Sequence, residues 1–276
     1  MSDLNHFHTH LTRRSLLQVG ISTIGLAMTS TGLAEFCQQL ATPRQTRGPF
    51  FPYDDVVSYP IRERLDSSLP LIEANDYDLT AVKGQNGIAQ GQIIHFKGQL
   101  LAMRKNGKDG AGNCIPWTDV TVLLWQANAS GLYNHRVDLG EPAEFPHPQT
   151  GKKVRRVYDE NFQYWGRAVT DAEGRFNFKT IVPGFYPVAE DWYRPPHLHF
   201  SIRAKGYPEF VTQTYFKGNG LPNNDLIQEL NNKDWILRNP RTPQAQQEQL
   251  IINYQNDPSG KDNGELVGSC QFVIAV

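Results

Sequence analysis

Neither sign of charge is in excess: 27 Lys and Arg stand against 28 Asp and Glu in 276 residues, a formal net charge of -1. That balance leaves no electrostatic footprint for nucleic acid. Cysteine is scarce. Cys37, Cys114 and Cys270 are too few and too widely spaced for a disulfide scaffold or a cysteine-based zinc site, and only a single Cys114 to Cys270 bridge stays open. No uninterrupted apolar run of about 18 residues occurs in the body of the chain, which excludes an internal membrane helix. Long helical periodicity is also missing, because 23 Gly and 18 Pro recur throughout and favour many short strands and turns. Aromatics are plentiful. Five Trp, eleven Tyr and fourteen Phe, within a hydrophobic content of 39%, can fill a core and exclude a disordered chain.

Residues 1–34 read as an address. Arg13 and Arg14 precede LQVGISTIGLAMTSTGLA, an uncharged stretch that ends in small residues, with Gly32 and Ala34 placed for cleavage after position 34. The arginine pair resembles a twin-arginine signal, which exports folded proteins. The expectation is therefore a periplasmic or secreted protein, free of the membrane once the signal is removed, with a cofactor inserted before export. His6, His8 and His10 would leave with the signal.

Residues 35–90 are rich in Pro, Asp and Ser without a sustained period, and read as an extended arm around RGPFFPYDD that must pack on something. The remainder, 91–276, reads as a single domain. Strands are expected at 92–103, 119–127, 175–181, 197–202, 209–216 and 269–276, where β-branched and aromatic residues run or alternate between turn clusters. Helices are expected only at 223–230 and after Thr242-Pro243, with Thr as cap and Pro in the first turn. The fold class is all-β: an antiparallel β-sandwich with a few peripheral short helices and an extended N-terminal arm.

The most informative segment is RPPHLHFSI at 194–202. On a strand, the period of two places His197 and His199 on one face and Leu198, Phe200 and Ile202 on the other. Two imidazoles could then share one ion, although two strand histidines can equally just hydrogen-bond. A facial triad would want a carboxylate shortly after the second His, and the next acid is Glu209. What surrounds the pair is tyrosine: Tyr133, Tyr186 and Tyr193. Phenolate is a hard anionic donor that suits ferric iron.

LLWQANASGLYNH (123–135), DAEGRFNFKTIVPGFYP (171–187), RPPHLHFSI and FVTQTYF (210–216), with weaker support from RGPFFP (47–52), together resemble the intradiol ring-cleavage dioxygenases. Within that family they are most similar to the iron-bearing subunit of the protocatechuate 3,4-dioxygenases. The resemblance spans about 47 to 275 and implies that Tyr133, Tyr186, His197 and His199 hold a non-haem Fe(III). It implies further that Arg194 faces the substrate and that Gln213 lies in the same pocket. Tyr186 would also accept a proton from the substrate. The implied reaction opens a catechol-type ring between its two hydroxylated carbons, inserts both atoms of O2 and yields a muconate-type diacid. Trp125 is expected in the core rather than the pocket, and His95, His135 and Tyr193 are expected to be structural. Val188 stands where the protocatechuate pattern has tryptophan, and the 136–165 loop carries KKVRR, so a wider and more permissive pocket is expected. Which catechol is used stays open, as does assembly into a homo-oligomer. Two rivals stand beside this reading. A secreted, non-catalytic β-sandwich would have no reason to bring the tyrosines to the histidines, and a zinc hydrolase would need a carboxylate or third histidine there.

Overall fold

A computed structural model describes residues 41–51, 76–105, 112–135, 138, 140, 142–257 and 264–276. The expected signal at 1–34, with Arg13 and Arg14, lies outside the described residues, as does Cys37. In chain order the elements are β1 (Ile93–Lys105), β2 (Gly112–Pro116), β3 (Thr121–Trp125), β4 (Glu144–Pro146), β5 (Lys153–Arg155), β6 (Trp165–Val169), β7 (Arg175–Ile181), β8 (Tyr186–Ala189), β9 (Trp192–Arg194), β10 (His197–Arg203), β11 (Phe210–Lys217), α1 (Asn224–Lys233), α2 (Gln244–Gln249), β12 (Ile251–Asn253), β13 (Gln255–Asn256) and β14 (Leu266–Ala275). Neither helix is long and apolar enough to cross a membrane.

One sheet runs β13-β14-β1-β2, with β7 paired to the other half of the long strand β1; the second runs β12-β11-β10-β3-β6. Most pairings are antiparallel, while β1 with β14 and β11 with β12 are parallel. All six strands expected from the sequence form. The short strands β2, β4, β5, β6, β8, β9, β12 and β13 were not expected, since two to five residues carry too little alternation to be recognised. The second helix begins after Pro243 with no side-chain cap, so Thr242 does not take the capping role expected of it.

The two sheets close on a phenylalanine cluster. Phe96 of β1 packs against Phe200 of β10 at 4.8 Å between ring centroids, and Phe200 against Phe272 of β14 at 5.1 Å. Phe176 and Phe178 complete it from the buried positions of β7, whose alternation is the one its sequence shows. Gly98 of β1 lies opposite Phe176, and a Cβ there would run into the ring.

Cys114 is disulfide-bonded and Cys270 is a free thiol, so the bridge left open between them does not form. The reason is topological: Cys114 pairs with Met103 on one edge of β1, and Cys270 pairs with Gly98 on the other. Two strand spacings of about 4.8 Å already exceed the reach of a disulfide.

The described start of the arm, 41–51, crosses the sandwich rather than trailing from it. Thr42 N–H donates to Val273 O at 2.9 Å and Gln45 N–H to Val211 O at 2.9 Å, so this segment ties β14 of one sheet to β11 of the other.

Phe96 is fully buried at the meeting of both sheets. Phe96→Ala should destabilise the fold by about 3 to 5 kcal/mol, the range for truncating a core aromatic. Urea denaturation checks this, and a loss below about 1 kcal/mol would mean that the cluster can collapse onto the gap.

Candidate metal centre

β10 lies between β3 and β11, and every residue from His197 to Ile202 is buried. Leu198, Phe200 and Ile202 face the inter-sheet core. On the opposite face, register places His199 beside Trp125 on one side and Gln213 on the other, and His197 beside Tyr215. The two imidazoles therefore project side by side from the middle of a sheet.

Tyr133 arrives from the connection after β3. Asn128 shapes that turn, its Oδ1 accepting the N–H groups of Ser130 and Leu132 at 3.0 and 3.1 Å, while Gly131 takes a positive φ of 80° that a side chain would resist. Tyr133 N–H then donates to Asp138 Oδ2 at 2.9 Å, and the buried Arg156 guanidinium holds the same carboxylate at 2.5 Å. The KKVRR stretch thus sends its last arginine inward beneath Tyr133. Tyr186 opens β8 and lies directly across the β8–β9 hairpin from Arg194.

These side chains converge. Tyr133 Oη lies 3.2 Å from His197 Nε2, and His197 Nε2 lies 3.0 Å from His199 Nε2. The Tyr133 and Tyr186 rings meet edge to face at 5.8 Å, close enough for each hydroxyl to affect the ionisation of the other. His197 Nδ1 is 2.6 Å from Pro195 O, which can only accept, so Nδ1 carries the proton and Nε2 presents its lone pair. That single lone pair is approached by both the Tyr133 hydroxyl and His199, while His199 Nδ1 has no hydrogen-bond partner among the described residues. The protein alone leaves this cluster poorly satisfied. Donor atoms about 3.0 Å apart are what neighbouring ligands at about 2.1 Å from one cation would show.

Burial pushes the His197 and His199 pKa values well below that of ordinary imidazole, and Arg194 adds to the effect at both. Both rings are neutral and their lone pairs are available. Burial likewise raises the Tyr133 and Tyr186 hydroxyls above ordinary phenol, with each other's proximity adding to it at Tyr133. Only a strong positive charge at the centre would make phenolates of them near neutral pH. No cluster of three or more His, Cys, Asp or Glu exists among the described residues, so the further donors available to the histidine pair are phenols. This donor set fits a hard trivalent ion and lacks the third ligand that the zinc hydrolase would need.

Arg194 and Gln213 are both buried beside the centre, and Arg194 Nη2 donates to Gln213 Oε1 at 2.6 Å. Trp125 is in the core as expected, yet its ring also stacks on His199 at 4.6 Å and 14°, so it forms a wall of the site. His95 and Tyr193 lie away from the cluster, pairing with Glu265 and with Pro146 O. His135 is closer, its ring edge-on to Phe50 at 6.1 Å. Val188 is half exposed on β8. Three participants were not foreseen. Phe50 stacks on Tyr133 at 4.6 Å, and Gly48, two residues before it, lies so near that a Cβ would sit 3.6 Å from His199 Cε1. Tyr215 was legible in principle, since it alternates with Gln213 along β11. Asp234, which pairs with Arg194 at 2.7 Å, carries no local signal.

A family model described as dioxygenase matches residues 70–264. The protocatechuate 3,4-dioxygenase beta chain of Burkholderia cepacia is 33% identical over 231 residues, covering 80% of this chain and 81% of that one. The 6-chlorohydroxyquinol 1,2-dioxygenase of Cupriavidus pinatubonensis is 28% identical over 157 residues, covering 50% of this chain and 48% of its own length. Among solved structures, catechol 1,2-dioxygenase from an Acinetobacter species, inhibited by bound mercury, superposes with a TM-score of 0.50 at 17% identity, covering 86% of this chain and 63% of that one. At that identity the likeness concerns the fold alone.

The imidazole shifts have a stability consequence. Unfolded histidine titrates near about 6.5 while both folded rings titrate lower, so below that pH the unfolded chain takes up more protons. The metal-free protein should keep its full stability above about pH 6.5 and lose it progressively as pH falls further. Thermal midpoints from pH 8 to 5 check this, and a His197→Gln/His199→Gln variant should show a shallower fall.

Proposed function

The chain belongs to the intradiol ring-cleavage dioxygenases, and on that premise we propose that it opens a catechol-type ring at a non-haem ferric ion held by Tyr133, Tyr186, His197 and His199. The observation that carries the reading is that His197 Nε2 lies within 3.2 Å of both Tyr133 Oη and His199 Nε2, in a buried pocket where a second phenol, Tyr186, packs edge to face on Tyr133. A non-catalytic sandwich has no use for such an arrangement.

The ion, when bound, would supply the Lewis acidity that keeps phenols and substrate hydroxyls as oxyanions, together with electronic access to O2. The protein's own part is placement and charge. His197 is held in one tautomer by Pro195 O, so its lone pair needs no reorientation. Tyr186, whose buried hydroxyl holds its proton more tightly than ordinary phenol, is suited as phenolate to take a proton from a substrate hydroxyl. Arg194 lies across the hairpin from Tyr186 and keeps its charge. Burial works against that charge, and Tyr215, Tyr186 and Asp234 more than offset it, so a fixed cation stands beside the ring where negative charge develops. Phe50 and Trp125 pack against Tyr133 and His199 and keep water from that side. Val188, half exposed two residues beyond Tyr186, is a small side chain and supports acceptance of catechols with varied substituents.

Iron-replete protein should show the charge-transfer colour of tyrosinate on Fe(III), and His199→Ala should lose both iron and colour. Arg194→Ala should keep the colour while turnover falls by about 10² to 10³. Oxygen uptake with catechol, protocatechuate, hydroxyquinol and alkylcatechols, with products assigned by mass and NMR, tests the substrate range. A colourless iron-loaded protein would defeat the tyrosinate centre, and cleavage outside the two hydroxyls would defeat the intradiol reading for this chain.

Residues 1–34 are assigned in the same proposal to twin-arginine export, which places the enzyme in the periplasm or outside the cell. Arg13→Lys/Arg14→Lys should retain the precursor in the cytoplasm, as fractionation would show.

A further inference from the structure

Arg194 is enclosed by a closed circuit of hydrogen bonds drawn from separate parts of the chain. Its Nε–H donates to Asp234 Oδ2 at 2.7 Å, and Nη2 donates to Gln213 Oε1 at 2.6 Å, with Tyr215 Oη at 3.5 Å. Tyr215 Oη donates to Gln45 Oε1 at 3.1 Å, Gln45 Nε2 to Ile236 O at 3.3 Å, and Ile236 N–H returns to Asp234 Oδ1 at 2.6 Å. The circuit thus joins β9, β11, the N-terminal arm and the turn after α1.

Asp234 is the one carboxylate in that circuit and is fully buried. Its two oxygens divide the work. Oδ1 accepts the N–H groups of Ile236 and Leu237 at 2.6 and 2.9 Å and so is fixed by the turn, while Oδ2 is left for the guanidinium. A guanidinium has five donors in one plane, so fixing two edges fixes the third. With Nε committed to Asp234 and Nη2 to Gln213, Nη1 alone has no hydrogen-bond partner among the described residues, and it is not a sealed, orphaned atom of the core.

We propose that Asp234 is a positioning residue of the active site: its carboxylate, itself locked by the turn after α1, orients Arg194 so that the Nη1 edge is the one presented to the reacting ring. The inference rests on the reading of Arg194 as the ring-facing arginine. Asp234 touches neither metal ligand nor substrate and acts through Arg194. Such supporting partners typically contribute about 10- to 100-fold to activity.

Asp234→Asn is the informative change, because an amide keeps an oxygen for Ile236 and Leu237 while replacing the acceptor that faces Nε. Iron-loaded wild type, Asp234→Asn, Arg194→Ala and the double variant would be compared with catechol as substrate, recording kcat, KM, the tyrosinate colour and the thermal midpoint. The expected result is kcat lowered about 10- to 100-fold in Asp234→Asn with KM and colour little changed. The double variant should be no slower than Arg194→Ala, since a residue acting through Arg194 has nothing left to orient. A merely structural role would instead lower the midpoint and add to the Arg194→Ala loss. Should Asp234→Asn fail to fold, Asp234→Glu keeps the charge and displaces the carboxylate by one methylene; lowered kcat with colour retained supports the inference, and wild-type kcat overturns it. Wild-type kcat in folded Asp234→Asn beside a slow Arg194→Ala overturns the role of Asp234 alone. Wild-type kcat in Arg194→Ala overturns the underlying reading of the arginine as well.

Discussion

The site depends on one strand being buried on both faces. β10 cannot shift its register by one residue without exchanging Phe200 for His199 in the inter-sheet core, which would place an imidazole among phenylalanines and an apolar ring at the proposed metal centre. The cost of that exchange pins the strand between β3 and β11. Several of the groups at the centre are referenced to it: Trp125 and Gln213 by cross-strand register with His199, Tyr215 by register with His197, and Arg194 by its place just ahead of the strand. The hydrophobic core and the donor geometry are therefore two sides of one constraint.

Around that strand the protein gathers groups that disfavour charge in one another. Two phenols are held protonated and two imidazoles neutral by the same burial, while an arginine stays charged among tyrosines and a carboxylate. A pocket of this kind would suit a cation that is not part of the polypeptide, as proposed above: bound, it would turn the crowded lone pairs and the phenolic oxygens from liabilities into attractions. The proton accounting follows, since taking up a trivalent ion in such a site would release phenolic protons.

Much of this was legible in the residues. The alternation of β7 and of HLHFSI gave the strands and the face of the two histidines, and the order of the tyrosine and histidine motifs gave the family. Asp234 was not legible, because it meets Arg194 from a turn forty residues later and nothing local distinguishes it from a surface acid. Phe50 was hidden for a related reason: an irregular arm has no period from which to read its contacts. Trp125 was read correctly as buried, yet burial could not say that its ring would lie flat on His199. Cys114 and Cys270 failed as a pair because their separation is set by strand order, which spacing along the chain does not encode.

The arm that covers the centre has a consequence in time. Thr42 is joined to Val273, 231 positions further along, and Thr46 receives its bond from Gln213, 167 positions away. Contacts of such separation are slow to close, and the one to Val273 cannot exist until β14 has been made. A growing polypeptide therefore carries the tyrosines and histidines well before it can roof them. The arm can first dock on β11, through Gln45 and Thr46, and gains its second anchor only when β14 joins β1, so the enclosure of the pocket is a late step of folding that is assembled in two stages.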